Sequence, residues 1–169
     1  DLDGDGEYEI ILHQTGRSHD NSQKGETDPP IIQAYKMNGQ FLWEINLGKN
    51  IREGAHYTQF LVYDLDQDGK AEIVMKTAEG SKDSKGKFIG DSTKNYVNEN
   101  GFILSGPEYL TVFHGLTGEE INTVNYQVPR SSKSLNPTDE DMIEAWGDAK
   151  GNRIDRFLGA VAYLDGKSP

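Results

Sequence analysis

The motif Asp-x-Asp-x-Asp-Gly occurs twice. Asp1, Asp3 and Asp5 precede Gly6, and Asp64, Asp66 and Asp68 precede Gly69, an offset of 64 − 1 = 63 residues. Carboxylates at alternate positions turn toward one point as the backbone curls, and glycine takes the sharp turn. That chemistry suits a hard divalent cation, calcium above magnesium or zinc. Each run continues to a Glu at its ninth position, Glu9 and Glu72, followed at once by β-branched residues. An EF-hand would need a bidentate Glu at position twelve, where these runs have Leu12 and Met75, so the motif reads as a nine-residue loop joining two strands. The expected ligands are the side chains of Asp1, Asp3, Asp5 and Glu9 with the carbonyl of Glu7. The second set is Asp64, Asp66, Asp68 and Glu72 with the carbonyl of Lys70. Eight of the 28 acidic residues serve as side-chain ligands here. Four like charges repel when the loop is empty, so at least two calcium ions are expected to take part in folding. They are read as structural staples, not reaction centres.

The elements that must position these loops form a repeat. Ala34-Tyr35-Lys36-Met37-Asn38-Gly39 matches Thr111-Val112-Phe113-His114-Gly115-Leu116 in position after its loop. Each reads as two strands about a tight turn, the first with the Asn-Gly hairpin signal. Phe157 to Tyr163 parallels Phe60 to Tyr63 and would open a third unit. Strand, acidic loop, strand, long loop, strand, turn, strand describes a propeller blade, and the loops resemble those of integrin-type propeller repeats. The expected fold is therefore all-β, a calcium-stapled β-propeller fragment of about two and a half blades. Blade a covers about 1–48, blade b about 56–127, and blade c starts at about 155–169. The competing architecture is a single β-sandwich. Two and a half blades cannot close a ring, so the chain is read as a piece of a longer protein.

Composition narrows the function. There are 17 Lys+Arg against 28 Asp+Glu, a net charge of 17 − 28 = −11. That balance argues against a nucleic-acid partner, which requires a basic face. No apolar run approaches the roughly 20 residues of a membrane span. The absence of cysteine excludes disulfides and thiolate metal sites. Neither a Gly-x-Ser-x-Gly elbow nor a phosphate-binding glycine loop is present.

Beyond the acidic loops, Leu47 to Arg52, Gly54 to Phe60, Met75 to Ala78, Leu104 to Phe113, Trp146-Gly147-Asp148 and Gly151 to Phe157 resemble rhamnogalacturonan lyases of polysaccharide lyase family 11. The resemblance implies a calcium-rich, eight-bladed, monomeric parent secreted or held at the surface by pectin-degrading bacteria. The implied partner is an anionic polysaccharide, rhamnogalacturonan I. The implied reaction is β-elimination between rhamnose and galacturonate, with the general base and catalytic basic residues in later blades outside this chain. Family members commonly carry Lys-Trp-Asp where this chain has His13-Gln14-Thr15, so an acidic substrate contact near Thr15 is missing. The Asp20-Asn21-Ser22 string is retained. The segment from Ser131 to Ala145 is longer than usual, and Thr138 with Asp141 there predicts a capped short helix. The rival from another class is a non-enzymatic calcium propeller for adhesion or carbohydrate binding.

Substrate contacts within the chain are expected at His56, Asp20, Asn21 and Arg153. His56 reads equally as a sugar or metal contact and as a buried histidine bonded to backbone. Arg52, Lys76, Arg153 and Arg156 suit a uronate carboxylate or structural salt bridges. Trp146 and Tyr57 suit a sugar face, while Trp43 and Trp146 also read as core aromatics. The connection from Ala78 to Gly106 is long enough to be functional or mobile.

Overall fold

A computed structural model of the chain describes residues 1–54, 59–156 and 158–169. His56, Tyr57 and Phe157 lie outside the described residues. Among the described residues, nine strands and one helix follow in order: β1 (Glu9–Gln14), β2 (Ile31–Lys36), β3 (Phe41–Asn46), β4 (Phe60–Tyr63), β5 (Glu72–Ala78), β6 (Ser81–Lys82), β7 (Phe88–Ile89), β8 (Glu108–Phe113), β9 (Glu120–Asn125) and α1 (Asp139–Trp146). They form two sheets, β1-β2-β3-β6-β7 and β4-β5-β8-β9. The pairings between these strands are all antiparallel. The all-β expectation holds, with the second sheet a four-stranded meander.

Alternation builds the interface between the sheets. Along β2, Ile32 and Ala34 are buried, and along β5, Ile73 and Met75 are, the period-two pattern of a face turned to a core. These residues join Trp43, Ile45, Leu47, Ile89 and Phe113 in one apolar cluster. Polar bonds fix the two sheets against each other. Trp43 Nε1 donates to the Gly115 carbonyl at 2.7 Å, and the Ala71 amide donates to the Asp1 carbonyl at 2.9 Å. The acidic loops therefore run side by side.

The Asn-Gly turn forms as expected. Gly39, at φ +87°, closes the β2–β3 hairpin and its amide donates to the Lys36 carbonyl. The expected helix cap also forms: the Thr138 side chain accepts from the Asp141 amide, and the Asp141 side chain accepts from the Thr138 amide. Two segments differ from the sequence reading. The connection from Ala78 to Gly106 is no plain loop, because it contains the β6–β7 hairpin, which adds to the edge of the first sheet through Asn46 and Lys82. Residues 158–163, read as part of a first strand of a third unit, form no strand. A strand needs a hydrogen-bonded neighbour, and none pairs with them among the described residues. They lie instead over β4: the Tyr163 and Tyr63 hydroxyls are 3.1 Å apart with the rings edge to face.

Candidate metal loops and a buried ionic cluster

In the first acidic loop, the Asp1 carboxylate accepts from the amides of Gly4, Asp5 and Gly6 at 2.6, 3.2 and 2.8 Å. In the second, Asp64 accepts from Asp68 and Gly69 at 3.1 and 3.0 Å. Side chain-to-backbone bonds of this kind wind both loops so that their carboxylates converge. One carboxylate oxygen each from Asp1, Asp3 and Asp5 lies within 4.8 Å of the others, and so does one each from Asp64, Asp66 and Glu72. Glu9 and Glu72 each accept from the amide one residue into their loop, Leu2 and Leu65. Asp68 and Glu9 lie outside these two closest groups.

The loops differ in what balances them. Lys36 is directly opposite Glu9 across β1 and β2. Its ammonium reaches Glu9 at 2.8 Å and Asp5 at 3.6 Å, and it also bonds Asp3. The bond from Lys36 is the main reason the Asp3 carboxyl lies below its ordinary value, and Asp3 and Glu9 together push the Lys36 ammonium up. Among the described residues, no basic side chain pairs with Asp64, Asp66, Asp68 or Glu72. Burial raises the Glu72 carboxyl, and the like charges of Asp66, Asp64 and Asp68 raise it further. That repulsion, with an all-oxygen donor set, fits a hard divalent ion.

The second constellation is an ionic cluster fed by six segments. Asn21, Arg52, Glu108 and Arg130 are all buried. Lys76 bonds Asp155 at 2.8 Å and also Glu108, and its ammonium lies 5.5 Å from the Tyr126 ring centroid. Glu108 in turn pairs with Arg130 at 3.4 Å and accepts the Arg130 amide at 3.1 Å. Asn21 Nδ2 donates to Asp155 at 3.0 Å. Burial opposes the charge on Lys76, but Asp155 and Glu108 outweigh it and raise the ammonium. Burial likewise opposes ionisation of Asp155, yet Lys76 and Arg130 prevail and hold its carboxyl below the ordinary 3.8. Ile51, Arg52, Lys76, Arg130 and Asp155 line a crevice of only about 10 Å³. Lys76 and Asp155 also line an apolar groove of about 130 Å³ with Leu61, Val74, Leu110 and Leu158.

The expected contact residues scatter around this cluster. Asp20 pairs with Arg156 at 2.9 Å. Arg153 is exposed and donates to the Trp146 carbonyl at 2.9 Å. Arg52 donates to the carbonyls of Gly25 at 3.0 Å, Gln23 at 2.8 Å and Asp20 at 3.4 Å, and to that of Gly101, while Phe102 lies under its guanidinium. It therefore holds together the segments at 20–25 and 101. Trp146 Nε1 donates to the Arg130 carbonyl at 2.8 Å. His13, at the departure from the family pattern, bonds Glu53 at 2.7 Å. Sequence reasoning missed Lys36, Glu53, Glu108 and Arg130. The Asn38-Gly39 turn places Lys36 at the end of β2, but its register against Glu9 on β1 is set by a separate pairing, and nothing in the sequence marks the other three.

Comparison with known proteins places the chain. The family model for rhamnogalacturonan lyase family 11, C-terminal domain, matches residues 1–169. The chain is 58% identical over 170 residues to rhamnogalacturonan exolyase YesX of Bacillus subtilis (strain 168) and 56% identical to rhamnogalacturonan endolyase YesW of the same organism. All of this chain is covered in both, but only 26% of each relative. It thus spans about a quarter of their length. The crystal structure of exotype YesX matches with a TM-score of 0.90. A Bacillus licheniformis rhamnogalacturonan lyase, 60% identical, matches at 0.89, covering the whole chain and 27% of that structure. The chain belongs to rhamnogalacturonan lyase family 11, in its C-terminal domain.

Proposed function

We propose that the chain is a section of a calcium-dependent rhamnogalacturonan lyase that works outside the cell, where the pectin polymer is. The observation that carries this reading is the match along the whole chain, above half identity, to two relatives that are both named as lyases of rhamnogalacturonan. It favours the lyase over an adhesive propeller. The reaction is β-elimination in the rhamnogalacturonan I backbone. A base takes the C5 proton of galacturonate, the electron pair forms the C4–C5 double bond, and the C4–O bond breaks toward the rhamnosyl oxygen, which is then protonated. The base belongs to blades outside these 169 residues.

The two sheets are proposed as blade a, about 1–48, and blade b, about 56–127, with blade c opening at 155–169. The four-stranded meander and the Tyr63–Tyr163 contact support this arrangement. The ligands for calcium are Asp1, Asp3, Asp5, Glu9 and the Glu7 carbonyl, and Asp64, Asp66, Asp68, Glu72 and the Lys70 carbonyl. Bound calcium would neutralise the clustered acids and lock each loop between its strands. Arg52 orders the segment bearing Asp20, which with His56 and Arg153 is proposed to meet the polymer, while Asn21 beside it is buried against Asp155 and would act only by holding that segment.

The test is the full-length protein that contains this chain, incubated with rhamnogalacturonan I with and without EDTA. The expected result is a rise in ultraviolet absorbance from unsaturated uronate that chelation abolishes. Tight polymer binding without any unsaturated product would refute the lyase. Full activity after complete removal of calcium would refute the calcium dependence alone.

A further inference from the structure

The two acidic loops carry the same ligand types at the same spacing, yet among the described residues only the first has a cation of the chain's own inside it. Lys36 projects from the end of β2 into the first loop and its ammonium contacts Asp3, Asp5 and Glu9 at once. Its side chain is one quarter exposed and that of Glu9 is fully buried, so the ammonium fills the mouth of the loop rather than lying over its surface. By strand register the residue matching Lys36 is His114, because Ile10 faces Tyr35 as Ile73 faces Phe113, and His114 is half-buried. It reaches no carboxylate of the second loop.

We infer that Lys36 is a tethered cation that competes with a divalent ion at the first loop, so the two repeats differ in calcium affinity, the second binding tightly and the first weakly. This rests on the calcium reading above and adds to it which residue sets the difference. The physics is that of a binding site whose competent form is a minority state. An ion can enter the first loop only in molecules whose ammonium has swung out, and the apparent dissociation constant rises by the inverse of that fraction. Three simultaneous carboxylate contacts hold the ammonium in place for most of the time. The second loop has no such competitor among the described residues, and its repulsion is relieved only by an ion from solution. The ligand class is the same at both loops, a divalent or trivalent hard cation. Only the competitor differs.

The experiment titrates the chain with calcium by calorimetry, and with terbium followed by luminescence sensitised through the nearby tyrosines. The wild-type chain is expected to show two sites whose dissociation constants differ by about tenfold or more. Asp66→Asn should remove the tighter one. Lys36→Met should tighten the weaker site by about tenfold and bring the two constants together, while Lys36→Arg, which keeps the charge, should leave them apart. Two equal sites in the wild type would overturn the inference while leaving the calcium reading intact. So would a Lys36→Met protein with unchanged constants. If Lys36→Met does not fold without calcium, its refolding midpoint in added calcium gives the same comparison against Lys36→Arg. Absence of any binding to the wild type would overturn both readings together.

Discussion

Replacing Lys76 by methionine keeps the length of the side chain and removes its charge. The ammonium serves two carboxylates, Glu108 and Asp155, whose side chains are only 4% and 9% exposed. Breaking a buried ion pair by deleting one partner costs about 3–5 kcal/mol, because the other charge stays behind unbalanced. Here the compensation is partial. Glu108 keeps Arg130 at 3.4 Å, and Asp155 keeps the Asn21 amide at 3.0 Å and the longer-range attraction of Arg130. The loss therefore falls near the lower end, about 3 kcal/mol. For a chain of this size about 1 kcal/mol shifts Tm by roughly 2–4 °C, so the variant should melt about 6–12 °C lower.

The pH dependence has a definite sign. The folded pKa of Asp155 lies below the ordinary 3.8, so its contribution is present above the unfolded value and is lost as pH falls through the folded one. The ammonium of Lys76 is raised, so its contribution is present below about pH 10.4 and is lost only as pH rises through its higher folded value. Both are in place at neutral pH. In Lys76→Met the stranded Asp155 carboxyl is forced up, so acid protonates it and relieves the variant. The gap between wild type and variant should be widest near neutrality and shrink below about pH 4. Urea unfolding monitored by circular dichroism across that range measures it. A gap under about 1 kcal/mol, or one that does not change with pH, would refute the claim that this pair is buried and coupled.

Two further outcomes follow from the fold. Gly118→Ala should destabilise more than Gly39→Ala: both have positive φ, but a methyl at Gly118 comes within 2.8 Å of the Trp43 ring whereas Gly39 faces open space. Thermal melts should show about 1 kcal/mol for Gly39→Ala and about 1–3 kcal/mol more for Gly118→Ala; equal losses would contradict the packing of Trp43. Arg52→Lys replaces a planar fork by a point donor that cannot span the carbonyls of Gln23, Gly25 and Gly101. Amide exchange at Gly25 and Gly101, which donate to Asn100 and Asn98, should accelerate by about tenfold or more, and unchanged protection would show that these segments hold themselves.

Local signals were legible where the chemistry is local. The Asn38-Gly39 turn, the Thr138–Asp141 cap and the winding of both acidic loops each depend on residues within a few positions of one another, and the structure forms all three. Features that depend on distant partners were not. Strands β6 and β7 are two residues each, too short to carry periodicity, and they exist because the first sheet offers an edge at Asn46. Lys76 and Arg52 allowed two readings from sequence, uronate partner or structural salt bridge. Burial and satisfied geometry place both on the structural side, with Glu108 as far as 32 residues along the chain from Lys76 and Asp155 79 residues along (108 − 76 and 155 − 76).

Why charges occupy that position is a question of direction rather than strength. Apolar side chains of the same volume would hold the segments as firmly or more so, but they attract without orientation. The segments from 126 to 138 and from 147 to 156 have no strand pairing to fix them. Arg130 and Asp155 supply that fix, through their ion pairs with Glu108 of β8 and Lys76 of β5. A Lys76→Met, Asp155→Leu double variant separates the two effects: it should recover most of the lost stability, because no buried charge is stranded on Asp155, yet leave residues 147–156 without their anchor. Their amides should then exchange faster than in the wild type at equal global stability. Recovery of both stability and protection would mean that packing alone positions this segment and that the ions add nothing to its placement.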